Sequence, residues 1–137
     1  MALKISLKPG EKFVVNGAVI VNGDRRTSFI IKNKVSILRS RDIMTEDEVN
    51  TPCKRIYFPI MLSYLDQEGI AEYYEEFVQR MNDVMAVIEN AEIKLLCVEI
   101  SLAMMRQNYY RALTHCRKLL EYEATLLESA DGNRCIS

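Results

Sequence analysis

Residues Leu3 to Met44, LKISLKPGEKFVVNGAVIVNGDRRTSFIIKNKVSILRSRDIM, decide the fold. Leu3, Ile5 and Leu7 alternate with Lys4, Ser6 and Lys8, the two-residue period of a half-buried strand. Pro9-Gly10 reads as a turn, Pro presetting φ and Gly supplying the permissive position. Glu11 to Val15 is the next strand, with Phe13 and Val15 on one face. Asn16-Gly17 is a strong hairpin signal, because both central positions of a type I′ turn need positive φ. Ala18 to Val21 follows, then a turn at Asn22-Gly23, a strand over Thr27 to Ile31, a turn at Lys32-Asn33-Lys34 and a strand over Val35 to Arg39. Five short strands with tight turns predict a small antiparallel sheet or open barrel. Short connections predict that neighbouring strands pair in sequence order.

The same stretch holds half of the positive charge. Up to Arg41 there are nine basic residues (Lys4, Lys8, Lys12, Arg25, Arg26, Lys32, Lys34, Arg39, Arg41) against Glu11 and Asp24, formally +7. From Asp42 on, nine basic and seventeen acidic residues give −8, so the net charge of −1 conceals opposite halves. An asymmetry of this kind points to a polyanion partner for the basic half, read here as RNA.

Beyond Ile43 the pattern turns helical. Thr45 and Glu48 fit a capping box. Thr51-Pro52 is a clean helix start, and the helix CKRIYFPIMLSYL should bury Ile56, Ile60 and Tyr64, with Pro59 kinking or dividing it. Ile70, Tyr74, Phe77, Met81, Val84 and Ile88 form a heptad-like seam. Asn90 marks a break. Glu92 to Gln107 is apolar on nearly all sides, as expected of a helix buried between others. A break near Asn108 lets the final helix fold back, with a second seam over Tyr109, Leu113, Cys116, Leu120, Glu123 and Leu127. These seams are read as packing within a bundle. The fold class is therefore α+β: a basic β-domain over 1–44, a helical domain over 45–130 and a flexible tail over 131–137.

At 137 residues the chain supports one domain or two small ones. It shows no signal peptide and no membrane-spanning run, so a cytoplasmic protein without a membrane partner is expected. Cys53, Cys97, Cys116 and Cys135 form no C-x-x-C pair and read as reduced thiols. With a single histidine, His115, no metal site is expected, and no cofactor. Nucleotide-binding and hydrolase motifs are missing. His115 and Cys116 are neighbours on a helix, about 100° apart, and make no catalytic dyad. No enzyme activity is expected.

The cations carry more. Lys12, Lys32 and Lys34 serve equally well as solubilising charges on edges and turns. Arg25, Arg26, Arg39 and Arg41 are read as RNA-binding, since paired arginines can contact phosphates and base edges bidentately. Phe13 and Phe29 are the only aromatics in the strands, and both are assigned to the core. Recognition by stacking on an exposed aromatic face is thereby disfavoured.

The blocks LKPGEKFVVNGAVIVNGDRR, KVSILRSRDIM, TPCKRIYFPIMLSYLD and NYYRALTHCRKLLEYE resemble the FlbT family of flagellum biosynthesis repressors. The resemblance implies a post-transcriptional regulator that binds the 5′ untranslated leader of flagellin mRNA and controls its translation and decay. It also implies flagellin or a FlaF-type protein, or a second copy of the chain, as partner of the helical domain. The alternative is a flagellin- or flagellar-partner-binding protein that regulates or assists export without touching RNA. No DNA partner is expected. A local likeness to the carbon-storage-regulator family runs through LKPGEKFVVNG and VSILRSRDI. There the first strand of one chain lies beside the last strand of another, which would bring Lys4, Ser6 and Lys8 near Arg39 and Arg41. The candidate RNA-binding set is Lys4, Lys8, Arg25, Arg26, Arg39 and Arg41.

Overall fold

The computed structural model describes the backbone of residues 3–136 and the side chains of residues 3–129. It has an α+β architecture, five short strands followed by four helices, and divides into two compact units between Met44 and Thr45. The strands are β1 (Leu3–Leu7), β2 (Lys12–Val15), β3 (Ala18–Val21), β4 (Thr27–Ile31) and β5 (Ile37–Arg39). They form two antiparallel sheets, β1-β4 and β3-β2-β5.

Pairing in sequence order is thus corrected: only β2 and β3 follow it. Among the described residues Asn16 (φ 48°) and Gly17 (φ 84°) are the one adjacent pair with both φ values positive, as a two-residue hairpin needs. At Pro9-Gly10 the Glu11 N–H closes a turn onto the Lys8 carbonyl (3.1 Å), and the chain leaves β1 for the other sheet. The division has a packing reason. One flat sheet would leave its apolar face in water, whereas two sheets can turn those faces toward each other. Ile5 and Leu7 of β1 and Phe13 of β2 are buried together, with Val15, Ile31 and Ile37 packed around them. Phe29 is a second correction: it is 37% exposed, resting against Phe13 at 5.8 Å between ring centroids rather than inside the core.

In the second unit a 3₁₀ turn over Glu46–Glu48 carries the Thr45–Glu48 capping box. The helices are α1 (Pro52–Leu65), α2 (Ile70–Met85), α3 (Ala91–Met105) and α4 (Tyr109–Ile136). Helix α1 is central, packing against α2 and α4, while α3 leans on α4 and touches α2 only lightly. Pro59 does not divide α1, whose fourteen residues form one helix. Proline removes one backbone donor, and burial of Ile56, Tyr57, Ile60 and Met61 holds the turns on either side. Tyr64, expected inside, is half-buried. In α4 the core face comprises Ala112, Leu113, Cys116 and Leu119, with Leu120 half-buried and Leu127 about half exposed. Of the tail expected over 131–137, residues 131–136 have their backbone at the end of α4, and their side chains and Ser137 lie outside the described residues. The largest departure is α3, which packs by one face only.

Cys53, Cys97 and Cys116 are free and buried. Burial pushes the Cys97 and Cys116 thiols up, and at Cys53 burial is reinforced by the Glu123 carboxylate. All three stay un-ionised core groups at neutral pH. Cys135 lies outside the described side chains.

Glu123, the one polar member of the α4 seam, caps α1. Its carboxylate accepts hydrogen bonds from the Thr51 hydroxyl and from the Cys53 N–H (3.0 Å). Thr51 Oγ in turn accepts from the Lys54 N–H (3.2 Å). A carboxylate at a helix N-terminus is favoured both by the unpaired N–H groups and by the helix dipole. Glu123→Ala is expected to cost about 1.5–3 kcal/mol, the range for a hydrogen bond to a charged group, and Glu123→Gln less. Chemical denaturation measures this, and equal stability of all three proteins would refute the cap.

Candidate nucleic-acid interface

Antiparallel register arranges the cations of the β unit. Lys4 stands opposite Ile30 and Ser6 opposite Ser28, whose hydroxyl oxygens are 3.3 Å apart. Residues directly opposite share a face of the sheet. Continued one step past Leu7↔Thr27, the same register sets Lys8 opposite Arg26. Lys4, Ser6, Lys8, Arg26 and Ser28 therefore belong to one face, and Ile5 and Leu7 to the buried one.

Two asparagines fix the loops that complete the arrangement. The Asn22 side-chain amide donates to the carbonyls of Lys8 (2.9 Å) and Arg25 (2.8 Å), tying the end of β1 to the segment entering β4. The Asn22 and Gly23 carbonyls both accept from the Gly10 N–H (3.2 and 3.0 Å). Asn16 grips the entry to β5, its N–H donating to the Ser36 carbonyl (2.8 Å) and its Oδ1 accepting from the Ser36 N–H (2.9 Å). That sets the register in which Arg39 pairs with Phe13 at the rim of the second sheet. Arg41 follows in the 3₁₀ turn Ser40–Asp42, beside the Asp42 carboxylate at 3.8 Å.

Together these constraints make one concavity of about 480 Å³, lined by Lys4, Ser6, Lys8, Glu11, Arg26, Arg39 and Arg41. Five of the six candidate residues converge there. Arg25 does not line it, although it neighbours Arg26 in the segment that enters β4. Within the chain β1 and β5 lie in different sheets, so the four charges at Lys4, Lys8, Arg39 and Arg41 meet around a concavity and not along paired strands. Glu11 is a lining residue that sequence reasoning missed. Its carboxylate accepts from the Lys8 N–H (2.9 Å), closing the Pro9-Gly10 turn, and a carboxylate three residues after a donor across a Pro-Gly turn was the available signal. Five cations against one carboxylate leave the concavity positively charged, and clefts lined by one sign of charge focus potential onto an oppositely charged ligand.

Among the described residues no group of three or more His, Cys, Asp or Glu could hold a metal. No helix among them is long and apolar enough to cross a membrane.

No solved structure matches the chain. The flagellum biosynthesis repressor protein FlbT of Caulobacter vibrioides is 53% identical over 123 residues, 90% of this chain and 87% of that protein. A probable flagellum biosynthesis repressor protein FlbT of Rhodopseudomonas palustris is 34% identical over 127 residues, 93% of this chain and 98% of its own length. One from Mesorhizobium japonicum is 32% identical over 129 residues, 94% and 87% of the two chains. The family profile described as flagellar protein FlbT matches residues 3–127, spanning both units. With likeness running through the β unit and the helices alike, the chain belongs to the FlbT family of flagellar proteins.

Proposed function

We propose that this chain regulates flagellum synthesis after transcription, its basic concavity binding the 5′ untranslated leader of flagellin mRNA and controlling translation and decay of that message. The observation that carries the RNA part is the convergence of Lys4, Lys8, Arg26, Arg39 and Arg41 on one concavity. Two lysines supply point charges for phosphates, and three arginines add planar forks for phosphates and base edges. The names of the relatives, flagellum biosynthesis repressors, support flagellar regulation. The resemblance of the quoted sequence blocks is what singles out the flagellin leader. The chain itself breaks no covalent bond in this reading. Bound to the leader, it excludes ribosomes or exposes the message to nucleases.

The test is an electrophoretic shift with flagellin leader RNA against a scrambled control, repeated over a salt series. For single-stranded RNA the slope of log K against log[salt] is about −0.7 per phosphate neutralised, so about five contacts give a slope near −3.5. A flat salt response, or equal binding to the scrambled RNA, would count against the leader and favour a flagellar protein as the partner.

A further inference from the structure

The outer face of α3 is apolar and open. Cys97, Ile100 and Met104 are buried, whereas Leu95 (59%), Val98 (42%), Leu102 (41%) and Met105 (66%) are exposed. At about 100° per residue the two sets occupy roughly opposite sides of the helix. The exposed residues are spaced three, four and three apart, the seam of a helix that packs against another helix. This is why the sequence reads as a helix buried on all sides: both of its faces are apolar, and among the described residues only one is fully covered.

We infer that the outer face of α3 is the surface on which two copies of this chain pair, antiparallel, about a twofold axis that crosses this face midway between Val98 and Leu102. The occupant follows from self-complementarity, the requirement of an isologous contact. A three-four-three spacing reads the same from either end, so the axis sets Leu95 against the second copy's Met105 and Val98 against its Leu102. The charges flanking the seam agree. Glu92 lies in the first turn of α3 and Arg106 caps its end. Fourteen positions separate them, a whole number of heptads, so both lie on the same edge of the seam. Antiparallel pairing joins Glu92 to the second copy's Arg106 on that edge, twice by symmetry, and sets Lys94 on the other edge toward the second copy's Asn108. Parallel pairing would instead set this edge against the other edge of the second copy, Glu99 toward its Lys94 and Arg106 toward its Ser101, and would leave Glu92 and Arg106 apart. The one like-charge approach in the antiparallel pair is Glu99 to its own copy near the axis. That carboxylate is half exposed and lies 3.8 Å from His115 Nδ1 of its own chain.

Sedimentation of the full chain over a concentration series tests this, with circular dichroism as the check on folding. The wild type should dimerise, and Leu95→Glu with Leu102→Glu should be monomeric and fully helical, because both positions are exposed in the monomer. Glu92→Arg and Arg106→Glu should each weaken the dimer about tenfold or more, since each variant makes two like-charge pairs. The two changes combined should restore dimerisation. A wild type that stays monomeric, including one whose α3 face takes up a different protein, overturns the proposal. So does a dimer that survives the leucine changes, or a double charge variant that fails to recover.

Discussion

Replacing Leu113 with Asp is expected to unfold the helical unit. Leu113 is fully buried on α4, in the core face it shares with Ala112, Cys116 and Leu119. Truncating a buried leucine costs about 2–5 kcal/mol by itself. A carboxylate in its place adds the cost of burying a charge with no partner, several kcal/mol more. The sum matches or exceeds the roughly 5–15 kcal/mol by which a domain of this kind is stable. Far-ultraviolet circular dichroism should therefore show loss of most helical signal. Leu120→Asp, at a half-buried position, should remain folded with a lowered Tm. Native helicity in Leu113→Asp would mean that this face of α4 is not packed as described.

How far the sequence could be read depended on whether the deciding interaction was local. Thr51-Pro52 and Thr45–Glu48 are helix starts written within four residues, and both form as written. Asn16-Gly17 is equally local, because the two positive φ values belong to adjacent residues. Strand partnership is different. It follows from which apolar faces can cover one another, and nothing in the turn at Pro9-Gly10 reveals that β1 will pair with β4, twenty residues away. Glu123 shows the same limit from the other side. In the sequence it is a polar interruption in an apolar seam, and only the approach of α4 to the start of α1 makes it a cap. For α3 the composition carried correct information about burial, but periodicity cannot say whether the covering surface comes from the same chain. The candidate site was legible as residue types, while Arg26 and Arg25 were indistinguishable until the fold brought Arg26 and not Arg25 to the concavity.

Reversing two charges of the concavity, Arg39→Glu with Arg41→Glu, is expected to weaken binding of leader RNA about 100-fold or more without unfolding the protein. Hydrogen bonds to charged groups are worth about 1.5–3 kcal/mol each, and every 1.4 kcal/mol is a factor of ten. Arg41 is 80% exposed and contributes toward the low end of that range, because water and salt screen it. Arg39, half-buried at the rim beside Phe13, contributes toward the high end. Each substituted carboxylate also repels the phosphate that the guanidinium attracted, and it lowers the potential that Lys4, Lys8 and Arg26 create in the same space. Those remaining contacts should then weaken as well, which separates this variant from one that merely removes two independent sites. Folding should be spared, since Ile5, Leu7 and Phe13 hold the core of the unit and none of them is touched. Arg25→Glu is the internal control. It changes the net charge of the strands in the same direction but lies outside the concavity, so its loss should stay below roughly tenfold, the scale of a screened charge acting at a distance. Equal losses in Arg25→Glu and in the double variant would mean that RNA responds to net charge alone and not to this concavity. Unchanged affinity in the double variant, with native circular dichroism, would remove Arg39 and Arg41 from the site.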